Sequence, residues 1–177
     1  MRHEKETPKL GSAIFTMGII ALVLVWGTTA LTNEDPLWFV HRFEGEAEAI
    51  TIYWDGQSTV IGRGERGYSD LMTAFGQAIA RPAGFEWEVA FSEQSIESYQ
   101  QRFRMLKVTF PQPVQVHTRH PFPRAATYLI PLNETHAYSR RVFAFTGIVP
   151  YASGPLNLSE PHFDALYKAV EAAVTVM

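Results

Sequence analysis

The longest pattern along the chain is one continuous apolar stretch near the N-terminus. Residues 10–31, LGSAIFTMGIIALVLVWGTTAL, contain no charged side chain. A helix of that length measures about 33 Å at about 1.5 Å per residue, and the hydrocarbon core of a bilayer is about 30 Å thick. The stretch therefore predicts a single transmembrane helix over residues 10–31, with the lipid bilayer as its partner.

Two other interpretations of this stretch stay open. A cleaved signal peptide has a shorter apolar region and ends in a small-x-small site, of which Thr28-Thr29-Ala30 is a poor version. A buried core helix rarely runs this far without a side chain more polar than serine or threonine. An uncleaved signal anchor fits the pattern best.

Charges on the two sides of the stretch predict its orientation. Arg2, Lys5 and Lys9 precede it, whereas residues 33–36 carry no positive charge. Positively charged flanks of a membrane span stay in the cytoplasm. We therefore expect residues 1–9 to form a cytoplasmic tail, and the rest of the chain to lie on the outer face of the cell membrane.

Beyond the stretch, the apolar positions follow strand and helix periods in turn. Alternation and β-branched or aromatic content predict strands over residues 49–54, 58–61, 85–91, 106–110, 114–117, 126–130 and 142–149. Apolar residues at three- and four-residue spacing predict helices over residues 68–80, 92–104 and after Ser159. The order of these elements predicts more hairpins than crossover connections.

Turn residues divide these elements. Asp55-Gly56 predicts a hairpin turn, Pro111 and Pro113 are expected to stop a strand, and residues 151–158 are expected to form a loop.

The predicted fold class is α+β, with an N-terminal single transmembrane helix followed by one domain. The domain has a mainly antiparallel sheet and about three helices packed on one face, because hairpin connections dominate. Residues 32–48 form a linker and lead-in, and residues 49–177 form the extracytoplasmic domain.

Composition narrows the function classes. The chain has 177 residues, a net charge of −3 and no cysteine. A small net charge without interleaved basic and aromatic residues argues against nucleic-acid binding. The absence of cysteine excludes disulfides, thiolate metal sites and cysteine nucleophiles.

One glycine-rich segment matches a known binding pattern. Residues 62–67, GRGERG, fit G-x-G-x-x-G between a predicted strand and a predicted helix. The preceding strand belongs to a hairpin, however, and bulky charges occupy the variable positions, so we expect a turn. The serine- and zinc-hydrolase motifs G-x-S-x-G, S-x-x-K and H-E-x-x-H are absent. We expect neither a cofactor nor a metal.

The segment between residues 111 and 141 has a local excess of positive charge. This segment contains four arginines and a single acid, Glu134, and three histidines lie among them. Guanidinium groups bind carboxylate and phosphate through paired donors. These residues are therefore candidates for binding an anion or a partner at one end of the sheet, the alternative being an ordinary solvated surface: Arg119, Arg124, Arg140, Arg141, His117 and His120.

Together these features favour a non-catalytic, membrane-anchored interaction domain outside the cell, an accessory subunit of a larger membrane complex. An enzyme is not favoured, because no catalytic motif is present. The alternatives are an extracytoplasmic receptor for a small anionic ligand and an envelope hydrolase whose catalytic residues come from distant segments.

Overall fold

A computed structural model describes residues 10–86, 89, 91–120, 122–133, 140–145 and 151–175, with the backbone alone at residues 151–154. The first element, α1, spans Leu10–Thr32, one residue beyond the predicted range. None of its 23 residues is buried against the other described residues. This helix is long and apolar enough to cross a membrane, by length and composition.

The remaining elements confirm the α+β class. In chain order they are β1 (Ala49–Trp54), β2 (Gln57–Gly62), α2 (Tyr68–Ala80), β3 (Pro82–Phe85), β4 (Phe91–Ser92), α3 (Glu93–Gln101), β5 (Met105–Val114), β6 (Ala125–Pro131), β7 (Arg141–Phe145), β8 (Tyr151–Leu158) and α4 (Glu160–Thr175). The strands form one sheet in the order β2-β1-β5-β6-β7-β8-β3, and β4 pairs with β8. Every strand pairing among the described residues is antiparallel.

Helices α2 and α4 cover one face of this sheet. Leu71, Phe75 and Ile79 of α2 are buried, and Leu166 and Val170 of α4 pack beside them. The three- and four-residue spacing of these side chains puts them on one face of each helix. This packing forms the larger core cluster.

Helix α3 lies on the opposite face, so the expectation that all helices share one face is wrong. Tyr99 of α3 packs in a second core cluster with Met105, Leu129 and Phe143. Successive side chains of a strand point to opposite faces of the sheet, so the next residue along faces the larger cluster, as Leu106 does beside Met105. Because the central strands are apolar on both faces, both faces require a helix.

Several strand predictions differ from the structure. Residues 85–91 do not form one strand: β3 ends at Phe85 and β4 begins at Phe91, with residues 87, 88 and 90 outside the described part. Strand β5 continues through Pro111 and Pro113. The β5–β6 register shifts between Thr109 and Val114, so the two prolines, which lack a backbone N–H, are not required to donate a hydrogen bond to β6.

Residues 151–158, expected to form a loop, are strand β8. The predicted strand over residues 142–149 is observed as β7 up to Phe145, and residues 146–150 lie outside the described part. The predicted strand over residues 114–117 is a single bridge between Val116 and Phe43. This bridge shows that the segment before β1 packs along the domain.

Candidate functional site

The chain turns back along α1 directly after the helix ends. The amide of Asn33 donates to the carbonyl of Thr29, and the amide of Asp35 donates to that of Ala30, each at 3.0 Å. The indole Nε1 of Trp26 then donates to the carbonyl of Pro36 at 3.1 Å. Residues 33–36 therefore run beside the last turns of α1.

Two side chains of this turn fix it to the domain. Asn33 Nδ2 donates to the carbonyl of Arg119 at 3.2 Å. Asp35 Oδ1 accepts from the amide of Leu37 at 2.8 Å and lies 2.9 Å from His117 Nδ1. We call Asn33, Asp35, His117 and Arg119 the helix-exit cluster.

Burial makes the helix-exit cluster a fixed connection. Asn33 is 7% exposed and Asp35 only 2%, and they are two of the few buried polar residues in the described part of the chain. Burying a carboxylate costs free energy unless hydrogen bonds compensate it. The Leu37 amide and His117 compensate this cost at Oδ1, whereas Oδ2 has no hydrogen-bond partner in the described part of the chain. The contact with His117 joins the end of α1 to the β5–β6 connection.

Exposed apolar side chains surround the same point. Leu37 is 46% exposed, Phe39 52% and Val40 40%. Apart from these three, the exposed large apolar residues of the described chain lie in α1, except Val60. We call Leu37, Phe39 and Val40 the apolar exit patch, because it continues the apolar surface of α1 onto the domain.

Three of the residues predicted from the charge pattern lie beside this patch. His117 and Arg119 belong to the helix-exit cluster, and Arg119 Nε donates to His120 Nε2 at 3.3 Å. The ring of His120 stacks on Phe85 with centroids 6.4 Å apart. Partial burial lowers the pKa of His120, and the charge of Arg119 lowers it further.

The other three predicted residues lie apart from this group. Arg124 donates to Gln115 Oε1 at 2.6 Å, just before β6 begins. Arg140 pairs with Glu160 at 3.1 Å, and Arg141 pairs with Glu86 at 2.9 Å. Arg140 and Arg141 are therefore each already paired with a carboxylate.

Sheet register explains the separation. Strands β6 and β7 are antiparallel, with Leu129 opposite Phe143, so the start of β7 lies beside the end of β6. Arg124 and Arg141 are consequently about 20 Å apart along a strand of this length. The charge pattern predicted that the arginines lie together at one end of the sheet, and Arg124 and Arg141 do not.

Two further basic residues lie near Arg119. A small cavity of about 160 Å³ is lined by His41, Arg81, Pro82, Thr118 and Arg119, and no carboxylate lines it. His41 has a positive φ of 47°, and Arg81 follows the last residue of α2. No local sequence pattern indicates this grouping, because 38 or more residues separate Arg119 from the other two basic residues.

A larger cleft of about 650 Å³ runs between α2 and residues 41–46. Three of its polar side chains have partners: Arg42 pairs with Glu44, Glu46 pairs with Arg63, and the Tyr68 hydroxyl donates to the carbonyl of Ala47. Polar side chains of α2 line the cleft as well.

His162 lines the same cleft and is the closest approach to a catalytic pair. Its Nδ1 lies 2.6 Å from Ser159 Oγ, at the start of α4. Ser159 precedes the helix and its carbonyl accepts from the amide of Phe163. In the described part of the chain no carboxylate is hydrogen-bonded to the other ring nitrogen, so the pair fits a helix start.

The glycine-rich segment is a turn. It follows β2, the second strand of an antiparallel hairpin, and Glu65 Oε2 accepts from the amide of Gly62 at 2.7 Å. Gly64 and Gly67 both have a φ of 85°. A dinucleotide site needs a parallel βαβ unit at this position, so the pattern carries no such site. Within the described residues no group of three or more His, Asp or Glu could hold a metal ion.

Strand β2 forms a second notable surface. It is the last strand at one edge of the sheet, and residues 57–62 include neither a charge nor a proline. Val60 on this strand is 61% exposed. A groove of about 610 Å³ lies next to it, lined on the α4 side by Ala169, Ala172 and Ala173.

In comparisons with known proteins the chain matches no family model, no curated protein and no solved structure.

Proposed function

We propose that this protein is a single-pass, membrane-anchored and non-catalytic domain on the outer face of the membrane, where it binds another subunit of a membrane complex. One observation carries the proposal: α1 is apolar and unburied along its whole length, and the helix-exit cluster joins it directly to the domain.

The energetics of α1 support an anchor. Twelve large apolar side chains of α1 are exposed, from Leu10 to Leu31. Removing one such side chain from water contributes about 1.5–3 kcal/mol, so leaving twelve in water costs roughly 20 kcal/mol or more. No residue of α1 is buried against the described part of the domain, so packing there does not offset this cost, whereas a bilayer would. A domain that covered α1 would have favoured the core-helix interpretation instead.

Charge supports the orientation. Arg2, Lys5 and Lys9 lie before α1, and the residues after it are acidic or neutral up to His41. The positive-inside rule then favours a cytoplasmic N-terminus and a domain on the outer face.

The edge strand β2 supports a protein partner. Exposed sheet edges pair readily with other strands, and most proteins protect them with charges, prolines or covering segments. Residues 57–62 have neither a charge nor a proline, and Val60 adds an exposed apolar side chain. We propose this edge as the surface that contacts a partner subunit.

A receptor for a small anion stays an alternative prediction. The pairing of Arg140 and Arg141 with Glu160 and Glu86 leaves fewer unpaired cations than the sequence suggested. This arrangement favours the interaction domain over the receptor.

Co-purification from gently solubilised native membranes tests the proposal. We expect the full chain to recover a partner subunit, and Val60→Asp to lose it because a charge on the edge opposes strand pairing. Gln94→Asp, which places the same charge on the exposed surface of α3, is the matched control and should retain the partner. Recovery of the wild-type chain as a lone monomer would contradict the proposal.

A further inference from the structure

The part of the domain next to the end of α1 would face the membrane surface if α1 spans the bilayer. Trp26 lies six residues before the last residue of α1, about 9 Å along the helix axis, and its indole bonds to Pro36. The chain after α1 therefore returns alongside the helix and does not extend away from it. The apolar exit patch consequently lies at the level where α1 would leave the hydrocarbon core.

Side chains of this type suit the membrane interface. Trp38 packs edge-on against Phe39 with ring centroids 5.8 Å apart. Tryptophan concentrates where hydrocarbon meets head groups, because its ring combines an apolar body with a polar edge, and Phe39 adds exposed apolar area beside it. Leu37 and Val40 add apolar area on the same segment.

Basic side chains lie next to this segment. Arg119 is held at the helix exit through its carbonyl, which accepts from Asn33, and its side chain is exposed. Arg81 is also exposed and lines the same cavity as Arg119 and His41. In the described part of the chain neither arginine forms an ion pair with a carboxylate, in contrast to Arg140 and Arg141.

The cavity between these residues suits a phosphate group. Its volume of about 160 Å³ equals about five water molecules at about 30 Å³ each. Guanidinium groups donate paired hydrogen bonds to phosphate oxygens, and two of them border a space without a carboxylate. A phospholipid phosphate would lie at this height above the hydrocarbon core.

We propose that the face formed by the apolar exit patch and by His41, Arg81 and Arg119 rests on the bilayer, with the two arginines binding the phosphate of a phospholipid head group. This inference rests on the proposed membrane anchoring through α1, because a lipid reaches the cavity only if α1 spans the bilayer.

Native mass spectrometry of the full chain in detergent micelles tests the proposal, with phosphatidylglycerol as the probe. We expect the wild-type chain to retain the lipid about tenfold more strongly than Arg81→Gln/Arg119→Gln, since basic residues near a membrane surface each add to the attraction for anionic lipid. The matched control is Arg66→Gln/Arg102→Gln, which removes two charges from exposed positions elsewhere and should bind like the wild type.

A second pair of variants separates charge from folding. Arg81→Lys/Arg119→Lys keeps both charges, so we expect it to retain more lipid than the glutamine pair. Equal retention by the wild type and the glutamine pair would overturn the proposal. Displacement of the lipid by millimolar inorganic phosphate would assign the cavity to a free anion and would overturn the lipid assignment.

Alkaline carbonate extraction of membranes distinguishes the two levels of inference. Retention of the wild-type chain in the pellet, together with unchanged lipid binding by the glutamine pair, contradicts only the phosphate site. Release of the chain into the supernatant contradicts the anchoring by α1, and the phosphate site with it.

Discussion

Removing the carboxylate of Asp35 should weaken the connection between α1 and the domain. The side chain is 2% exposed and holds the Leu37 amide at 2.8 Å, with His117 Nδ1 at 2.9 Å. Asp35→Ala leaves both groups without this partner. An unsatisfied buried hydrogen-bonding group costs about 1–3 kcal/mol, and Leu37 is half exposed, so we expect a local loss of about 2 kcal/mol.

This loss predicts a measurable change in local opening. About 2 kcal/mol corresponds to an increase of about thirtyfold in the opening equilibrium. Hydrogen–deuterium exchange of the full chain in lipid nanodiscs should therefore accelerate about thirtyfold in peptides covering residues 33–40 and 115–120. Exchange in α2 should stay unchanged, because the cluster can open while the core remains folded.

Two control variants define the outcome. Asp70→Ala removes an exposed carboxylate in the first turn of α2, where we expect an effect of about 0.5 kcal/mol or less. Asp35→Asn keeps an oxygen that can accept from the Leu37 amide, so its effect should fall between the two. If Asp35→Ala changes exchange by no more than Asp70→Ala does, the helix-exit cluster does not couple α1 to the domain.

Three other perturbations test the core, the hairpin and the membrane face. Phe75→Ala should lower the free energy of unfolding by about 4 kcal/mol in thermal denaturation, because Phe75 is 1% exposed. Arg104→Ala should lower it by about 1–2 kcal/mol after allowing for solvent screening, since Arg104 binds Asp55 through two hydrogen bonds and contacts an indole ring at 4.1 Å. A nitroxide at Phe39→Cys should be more accessible to oxygen than one at Gln94→Cys in spin-label measurements on vesicles, and equal accessibility would contradict the membrane face.

The Arg104 contribution should depend on pH. Hydrogen bonds from Arg104 lower the pKa of the Asp55 carboxyl below its ordinary value of 3.8. The ionised carboxylate therefore stabilises the folded state above pH 3.8, and this contribution is lost as the pH falls through the lower folded-state pKa. The difference in melting temperature between the wild type and Arg104→Ala should shrink below that pH. A difference that stays constant from pH 7 to pH 3 would contradict the role of Asp55.

Local signals predicted the helices well. The range 68–80 is observed as α2, because Leu71, Phe75 and Ile79 repeat at helical spacing and Gly67 allows the positive φ that begins the element. The hairpin of β1 and β2 also follows local rules, since Asp55-Gly56 has the positive φ values of a tight turn.

Long-range pairing was not predictable from the pattern. Residues 151–158 contain Gly154-Pro155, which suggested a loop, yet β8 pairs with β3, β4 and β7. The carbonyl of Pro155 accepts from the amide of Glu86, a partner that no local signal indicates. A strand that is determined by its neighbours has no strong signal of its own.

The helix-exit cluster was missed for the same reason. Asn33 and Arg119 are 86 residues apart in sequence, and Asp35 and His117 are 82 apart. The charge pattern did select His117 and Arg119, but it grouped them with Arg140 and Arg141, which the antiparallel register places elsewhere. Closeness in the sequence indicated which basic residues to consider, but it could not predict which residues they contact in the fold.

The most direct test of the central claim is the labelling of single cysteines in intact cells that express the full chain, which naturally contains no cysteine. A membrane-impermeant maleimide should react with Gln94→Cys in intact cells, and with Lys5→Cys only after the membrane is permeabilised. This result is predicted if α1 spans the membrane with the domain outside. The reverse labelling pattern, or a soluble product that lacks residues 1–30, would contradict the account.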